Sequence, residues 1–414
     1  MTFVGWILVL VGGCADPYVY EPTCDAPIPA WTGDPPTWSD DVQPLIATRC
    51  QACHVAGGLA PTPFETYAET APWASVIAAE TASRVMPPFP PTTCGECGTL
   101  SDAIALTDDE IALLGAWADG GAPEGDPTAP PTAPLALPTL PSVDATMTLD
   151  PPYTPDAAVA DDYRCFLVDP GLAEDRYLTG YEVIPGQRQE VHHASVAALD
   201  TEAAVADAQA LDAADDRPGW ACFGGFGFGG VRTVAGYVPG SGAKVFPDGT
   251  GIPLTAGRPL AVQVHYNTLQ GAEPDATAIH LMLADAVDHP AEIQKFLDTD
   301  FVLPGGEPEV SIVNETRITG SGFVYGLAPH EHGLGSTIRA ELVHDDGTVD
   351  CLIDVPNWDF HWQGFWFLEQ PVKVRPGDTF RVYCEWDTTS VDHDVAYGES
   401  TTDEMCTVLA YVAG

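Results

Sequence analysis

The sequence predicts a multidomain protein: a small all-α domain followed by two all-β sandwich domains of jelly-roll type. Three observations carry this. The chain has 414 residues, which at roughly 150 residues per domain suggests about three domains. Apolar residues at helical spacing stop near Asp144, and beyond it short β-branched and aromatic runs alternate with Gly, Pro and Asp turns. A proline-rich stretch, E-G-D-P-T-A-P-P-T-A-P, lies between the two regions and reads as an extended linker. The expected domains are residues 37–124 (helical), 145–285 (first sandwich) and 286–414 (second sandwich). Residues 15–36 form a spacer and 125–144 the linker. The β region is too long for one sandwich, so it is divided near Asp285, after the apparent strand 277–283.

Composition narrows the function. Hydrophobic residues make up 45%, enough for packed cores. Only 15 Lys and Arg stand against 60 Asp and Glu, a net charge of −45. A field of that sign repels phosphate backbones, so nucleic acid is excluded as a partner. No apolar run reaches the roughly 18 residues of a membrane span, and the expected membrane contact is a lipid anchor only. The chain opens M-T-F-V-G-W-I-L-V-L-V-G-G-C, in which Val11-Gly12-Gly13-Cys14 resembles a bacterial lipobox. Residues 1–14 are therefore expected to be a signal that exports the protein and leaves Cys14 lipidated, with the mature chain periplasmic or on the cell surface. Eleven cysteines fit an oxidising compartment.

In the first domain, Cys50-Gln51-Ala52-Cys53-His54 is C-x-x-C-H. Two thiols at this spacing can add to the two vinyl groups of a haem while the adjacent imidazole takes the iron. A zinc site would need a second ligand pair, and none of suitable spacing follows. Met86, in Arg84-Val85-Met86-Pro87-Pro88, is the one methionine of this domain and the expected sixth ligand. Thr107 and Glu110 form a capping box ahead of Ile111, Leu114 and Trp117 at helical spacing. Together C-x-x-C-H, M-P-P and L-T-D-D-E-I-A-L-L-G-A-W-A-D-G-G-A-P resemble a small cytochrome c over roughly residues 37–124. Cys94 and Cys97 are expected to be structural disulfide partners, with Cys24 as a further candidate.

The β region carries histidines in three constellations. These are Val191-His192-His193-Ala194, Gln263-Val264-His265-Tyr266 and His330-Glu331-His332. Strand alternation puts Gln263 and His265 on one face, and His330 and His332 on one face. His192 and His193 should diverge on an ideal strand, so joint ligation needs a distortion. Imidazole sets without a cysteine pair suit Cu, Zn, Ni or Fe. The late motif Asp403-Glu404-Met405-Cys406 favours copper, because a thioether is a poor ligand for Zn²⁺ and a good one for Cu(I).

The residues V-H-H, Q-V-H-Y-N, H-x-H-x-x-G and D-E-M-C, in this order, resemble the copper type II, ascorbate-dependent monooxygenases, which include the peptidylglycine α-hydroxylating and dopamine β-monooxygenases. The segments Asp161-Asp162-Tyr163-Arg164-Cys165 and Trp358-Asp359-Phe360-His361-Trp362-Gln363 fit the same pattern, and the likeness covers about residues 145–414. It implies two coppers. His192, His193 and His265 would hold the electron-transfer copper. His330, His332 and Met405 would hold the oxygen-binding copper, with Gln263 beside the chemistry. It also implies a Cys384–Cys406 disulfide; Cys165 and Cys222 are a second expected pair, and Cys351 has no evident partner. The implied activity is hydroxylation of an activated C–H bond of a small organic molecule by O2, with ascorbate or a redox protein as reductant. The alternative is a lipid-anchored haem and copper electron-transfer or copper-binding protein without turnover.

The chain departs from the peptide-hydroxylating members. Ala328 stands where they carry Arg, and Thr407 and Leu409 where they carry Asn and Tyr. Those groups clamp a substrate carboxylate, so with the −45 charge a neutral or cationic substrate is expected. Asp403 and Glu404 read as a solvated turn. The G-x-G-x-x-G of Gly225–Gly230 precedes no evident helix and reads as a flexible loop, not a phosphate cradle.

Overall fold

The computed structural model describes residues 18, 20, 27–58, 60–89, 91–93, 97–101, 103–135, 137–239, 241–360, 362–398, 400 and 402–414. The expected anchor Cys14, and Cys24, Cys94 and His361, lie outside the described residues. The chain divides into two compact units. One is helical and runs up to Leu137. The other is the β region, Pro138–Gly414, with residues 97–101 and the aromatic pair Tyr18 and Tyr20 added to it.

In the helical unit, Trp38–Val42 winds as a π-turn into the helix Gln43–Arg49. The helix Ala74–Ala82 and the helix Asp108–Asp119 follow. The capping box at Thr107 forms: its side chain accepts from the Glu110 N–H, and the Glu110 carboxylate accepts from the Thr107 N–H at 2.7 Å. A second box of the same kind joins Thr66 and Glu69. Ile111, Leu114 and Trp117 are buried with Trp38, Val42, Ile46 and Phe64 in one core. The proline-rich stretch is extended but more tightly held than its composition suggested. Gln43 and Thr132 exchange two hydrogen bonds, and the Leu135 N–H donates to the Ala47 carbonyl.

The β unit is two stacked pairs of sheets. In the first sandwich a five-stranded sheet runs Trp220–Ala221, Asp161–Val168, Leu260–Asn267, Val191–Leu199, Val231–Tyr237. Its apolar face packs on strands Ala145–Thr148, Ala278–Ala284, Arg176–Ile184 and Thr250–Leu254. In the second, strands His289–Asp298, Cys406–Ala413, Gly322–His330 and Trp366–Val374 form one layer. Strands Val310–Arg317, Thr379–Trp386, Gly335–Val343 and Val349–Val355 form the other. His289 pairs in parallel with Thr250, and Pro290 with Gly251, so one layer of each sandwich joins into a single nine-stranded sheet. Tyr411 of the second sandwich packs into the core of the first, 4.8 Å from Phe246, and its hydroxyl meets Thr250 Oγ1 at 2.9 Å. The two sandwiches therefore share a core at one end.

Two expectations are corrected here. The β region is not free of helix: Glu202–Ala214 is a 13-residue helix capped by Thr201, whose hydroxyl accepts from the Ala204 N–H. Its run of alanines and acids lacks a broad apolar stripe, so only Ala204 and Ala208 bury and the periodicity is faint. Cys97 pairs with Cys351, not with Cys94. The partners are 254 residues apart in sequence, a separation no spacing rule reveals. Residues 97–101 lie as an extra edge on the second sandwich, with Gly98 donating to the Cys351 carbonyl and Ser101 to the Phe367 carbonyl. The pairs Cys165–Cys222 and Cys384–Cys406 form as expected.

Candidate metal centres

The first cluster rests on a β-bulge. Strand Val191–Leu199 pairs with Leu260–Asn267 as Val191↔Tyr266 and then His193↔His265, so His192 is the extra residue of the bulge. This is the distortion that joint ligation requires: it lets two adjacent imidazoles turn to the same side. The ligand nitrogens of His192, His193 and His265 all lie within 4.8 Å of one another. His193 Nδ1 is 3.2 Å from His265 Nδ1 and 3.4 Å from His192 Nδ1.

Neighbouring groups fix the ring of His265. Its Nε2–H donates to Asp161 Oδ1 at 2.8 Å, leaving Nδ1 for the cluster. Tyr163, directly opposite in register, stacks on the ring at 4.2 Å. A carboxylate on the far nitrogen holds the tautomer and raises ligand basicity. Burial holds His193 well below the ordinary histidine range, helped by the neighbouring His265, His192 and His330. Burial lowers His265 as well, against the pull of Asp161. Burial thus disfavours the charged form of both His193 and His265, and neutral imidazole is the form that binds a metal. Asp161 and Tyr163 had appeared only as part of a sequence pattern; their alternation on one strand face was the signal of a role.

The second set lies in the second sandwich. His330 ends strand Gly322–His330, and its Nδ1–H donates to Gln363 Oε1 at 2.7 Å. His332 donates Nδ1–H to the Asp403 carbonyl at 3.0 Å. Both rings therefore present Nε2, and their centroids are 5.1 Å apart. Burial pushes His330 down to about 4, and the nearby His332 and Lys295 act in the same direction. Met405 precedes strand Cys406–Ala413, in which Thr407 pairs with His330. Continuing that antiparallel register by two residues sets the buried Met405 opposite His332.

Glu404 joins these parts and corrects the reading of a solvated turn. It is completely buried. Its Oε2 accepts from the His332 N–H and from Trp386 Nε1, both at 2.9 Å, and its Oε1 accepts from the Leu334 N–H at 2.7 Å. Glu331, between the two histidines, faces away from them and is fully buried without a hydrogen-bond partner. Burial and the neighbouring Glu404 raise its carboxyl well above the usual range. The second glycine of H-x-H-x-x-G has a steric reason. A Cβ on Gly335 would sit 2.6 Å from Glu331 Oε2 and 2.7 Å from Trp358. Trp358 in turn donates its indole N–H to the His332 carbonyl at 3.1 Å.

A cavity of about 320 Å³ is lined by Asp161, Tyr163, His192, Phe223, His265, Asn267 and Phe360. Phe360 belongs to the second sandwich and lies edge-on to His332 at 5.9 Å. The cavity is thus walled by His192 and His265 of the first set and by Phe360, the neighbour of His332. Gln263 does not join them. Its amide donates to the Cys222 and Gly225 carbonyls at 2.8 and 3.1 Å, which pins the Gly-rich loop. That loop leads into strand Val231–Tyr237, not into a helix.

In the helical unit Cys50 follows helix Gln43–Arg49, and the His54 N–H donates to the Cys50 carbonyl at 3.0 Å, so C-x-x-C-H closes in one turn. Both cysteines are unpaired and half-buried. His54 donates Nδ1–H to the Thr62 carbonyl at 2.7 Å and stacks on Phe64 at 4.3 Å, which leaves Nε2 as its ligand atom. Met86 is half-buried in the loop after helix Ala74–Ala82, its N–H donating to the Glu80 carbonyl.

The two β-sandwiches thus carry a three-imidazole cluster and an H-x-H pair, two donor sets that could each hold a metal ion. Residues 311–413 match the family model described as copper type II ascorbate-dependent monooxygenase, C-terminal domain. The chain is 25% identical over 208 residues to the human putative DBH-like monooxygenase protein 2, covering 44% of this chain and 40% of that protein. It is 23% identical over 275 residues to mouse DBH-like monooxygenase protein 2, covering 60% of this chain and 42% of that protein. A shorter stretch of 89 residues is 30% identical to chicken DBH-like monooxygenase protein 1, covering 22% of this chain and 14% of that protein. The chain spans about two fifths or less of the length of these relatives. The three disulfides point to an oxidising compartment. No described helix is long and apolar enough to cross a membrane.

Proposed function

We propose that the chain is an exported, haem-fused copper monooxygenase that hydroxylates an activated C–H bond of a small organic molecule with O2. The observation that carries this reading is the bulge at His192, which brings three imidazoles together beside a cavity whose wall includes Phe360, itself against His332. The donor sets fit copper: three imidazoles in the first sandwich, and two imidazoles with Met405 across from them in the second. Copper bound in both would supply two one-electron centres for reduction of O2. The chain's own residues fix which ring nitrogen faces each centre, through the contacts of Asp161, Gln363 and the Asp403 carbonyl. Tyr163, Phe223 and Phe360 give the cavity aromatic walls that favour an apolar substrate and limit water.

Cys50, Cys53 and His54 fit covalent haem, and Met86 is its proposed sixth ligand. A haem there would be a one-electron donor tethered to the copper sandwiches, and tethering raises its effective concentration. It would act in place of ascorbate or another reductant, or alongside it. Residues 1–14 and Cys14 are proposed to export and lipid-anchor the chain. The test is oxygen uptake by purified, copper-loaded protein with ascorbate and a panel of phenethyl and fatty compounds. Uptake matched by a hydroxylated product is the expected result. Absence of both in protein that holds two coppers overturns the reading in favour of electron transfer or copper binding without turnover.

A further inference from the structure

The loop that contacts both rings of the second centre is held at its two ends by one short piece of chain. Residues 356–365 join strand Val349–Val355 to strand Trp366–Val374. Three of them serve the centre. Trp358 donates its indole N–H to the His332 carbonyl at 3.1 Å, Phe360 lies edge-on to the His332 ring at 5.9 Å, and Gln363 accepts from His330 Nδ1 at 2.7 Å. The two flanking strands belong to different layers, and each is the last strand of its sheet. An edge strand carries a row of unpaired backbone groups and opens more readily than an inner one.

Residues 97–101 cover both edges. On one side Cys97 is bonded to Cys351, and the Gly98 N–H donates to the Cys351 carbonyl at 3.1 Å. On the other side the Ser101 N–H donates to the Phe367 carbonyl at 2.9 Å and the Glu369 N–H donates to the Thr99 carbonyl at 2.8 Å. The buried Leu100 pairs with Leu368 between them. Gly98 sits in the seam itself: a Cβ there would meet Leu368 Cδ2 at 2.8 Å and the Leu352 carbonyl at 3.3 Å. The strap therefore grips the chain just before the loop and just after it. A loop with both ends fixed explores far fewer conformations than one with a free end.

The covalent part of this grip is also the accessible one. Cys97 is half-exposed, whereas Cys165, Cys222, Cys384 and Cys406 of the other two disulfides are all buried. Thiol–disulfide exchange needs access to a sulfur, so a dithiol reductant meets Cys97 first.

We propose that residues 97–101 are a positioning strap for the second centre, and that the Cys97–Cys351 disulfide is a catch that a dithiol reductant releases. The consequence for bound copper rests on the monooxygenase reading; the strap and its catch do not. A thiolate of the reductant attacks the Cys97 sulfur, the sulfur–sulfur bond breaks, and Cys351 leaves as a thiolate that takes up a proton. The second thiol of the reductant, losing its proton, then displaces Cys97 from the mixed disulfide. The reductant ends as a disulfide, and the chain gains two electrons and two protons as two thiols. With the catch open, only backbone pairing holds the strap, and Trp358, Phe360 and Gln363 lose their fixed frame. Loss of the groups that orient metal-binding imidazoles typically weakens metal affinity about 10–100-fold. The first centre keeps its grip, because its bulge is paired within the first sandwich.

The test titrates the copper-free full chain with dithiothreitol, traps thiols with iodoacetamide, and follows hydrogen exchange at each step. Cys97 and Cys351 should be alkylated before the four cysteines of the other pairs. At that point protection should fall across residues 356–369 and stay unchanged across 191–199, and reoxidation should restore it. In the Cys97→Ser, Cys351→Ser double variant, with its fold checked by melting, competition with a copper chelator should show at least about tenfold weaker binding at one centre only. The proposal is overturned if another disulfide opens first, or if exchange in 356–369 is unmoved when the catch opens. Protection lost equally over 191–199 overturns it as well, since that is general destabilisation, and so does unchanged copper affinity at both centres. The exchange arm carries no copper, so its failure leaves the oxygenase reading untouched, and a failed oxygen-uptake test leaves the strap standing.

Discussion

The Glu404 carboxylate accepts the backbone N–H of His332 at 2.9 Å, and so ties the H-x-H strand end to the residue beside Met405. The same carboxylate accepts from Leu334 and Trp386. One buried side chain thus sets the distance between two proposed ligands that are 73 positions apart in the chain.

Glu404→Gln keeps the volume but turns an amide N–H toward backbone donors. Leaving a buried donor unsatisfied costs roughly 1–3 kcal/mol, so the variant should melt lower by that order in a denaturant titration. It should also lose copper from the His330 site while the His193 site stays filled. Equal retention at both sites contradicts the positioning role.

Asp161→Asn removes the carboxylate from the far nitrogen of His265. Loss of such a partner typically weakens metal affinity about 10–100-fold. Competition with a copper chelator should show a loss of that size at one of two sites. Fold and melting temperature should change little, because Asp161 is largely at the surface.

The pH dependence of stability contains a contribution away from either centre. His344 donates to Asp350 Oδ2 at 2.9 Å and lies 3.1 Å from Asp378 Oδ1, and the Asp350 bond is the main cause of its raised pKa. A group raised in the folded state stabilises fully below its unfolded pKa, near 6.5, and loses that contribution as pH rises through its folded value. Wild type should therefore exceed His344→Gln in stability at pH 5 by more than at pH 9. A gap that is constant or grows with pH in paired urea titrations contradicts this.

A non-reducing peptide map should find Cys97 linked to Cys351. Cys351→Ser should lower the melting temperature, since closing so long a loop is worth up to roughly 4–5 kcal/mol in chain-entropy terms. A Cys94–Cys97 peptide in the map would instead restore the local pairing expected from C-G-E-C.

The histidine and cysteine motifs were legible because each needs only local geometry. H-x-H shares a strand face by alternation, C-x-x-C-H closes within one turn, and the Thr107 cap is written in adjacent residues. What the sequence withheld depends on pairing between distant strands. Nothing local marks His192 as a bulge; that follows from the register between Val191–Leu199 and Leu260–Asn267. Cys97 finds Cys351 only once residues 97–101 lie along the second sandwich. Glu404 read as solvent-facing because acidic residues usually are, and its burial comes from four N–H donors on three separate segments. Gln263 shares a face with His265 as alternation requires, yet its amide is engaged by the Gly-rich loop.

The central claim is two separate copper centres in one β unit, and copper counting per chain tests it most directly. Reconstituted wild type should hold two coppers, and His193→Ala and His330→Ala should hold one each, on protein whose melting confirms the fold. One copper in wild type, or a single substitution that empties both centres in folded protein, would contradict it.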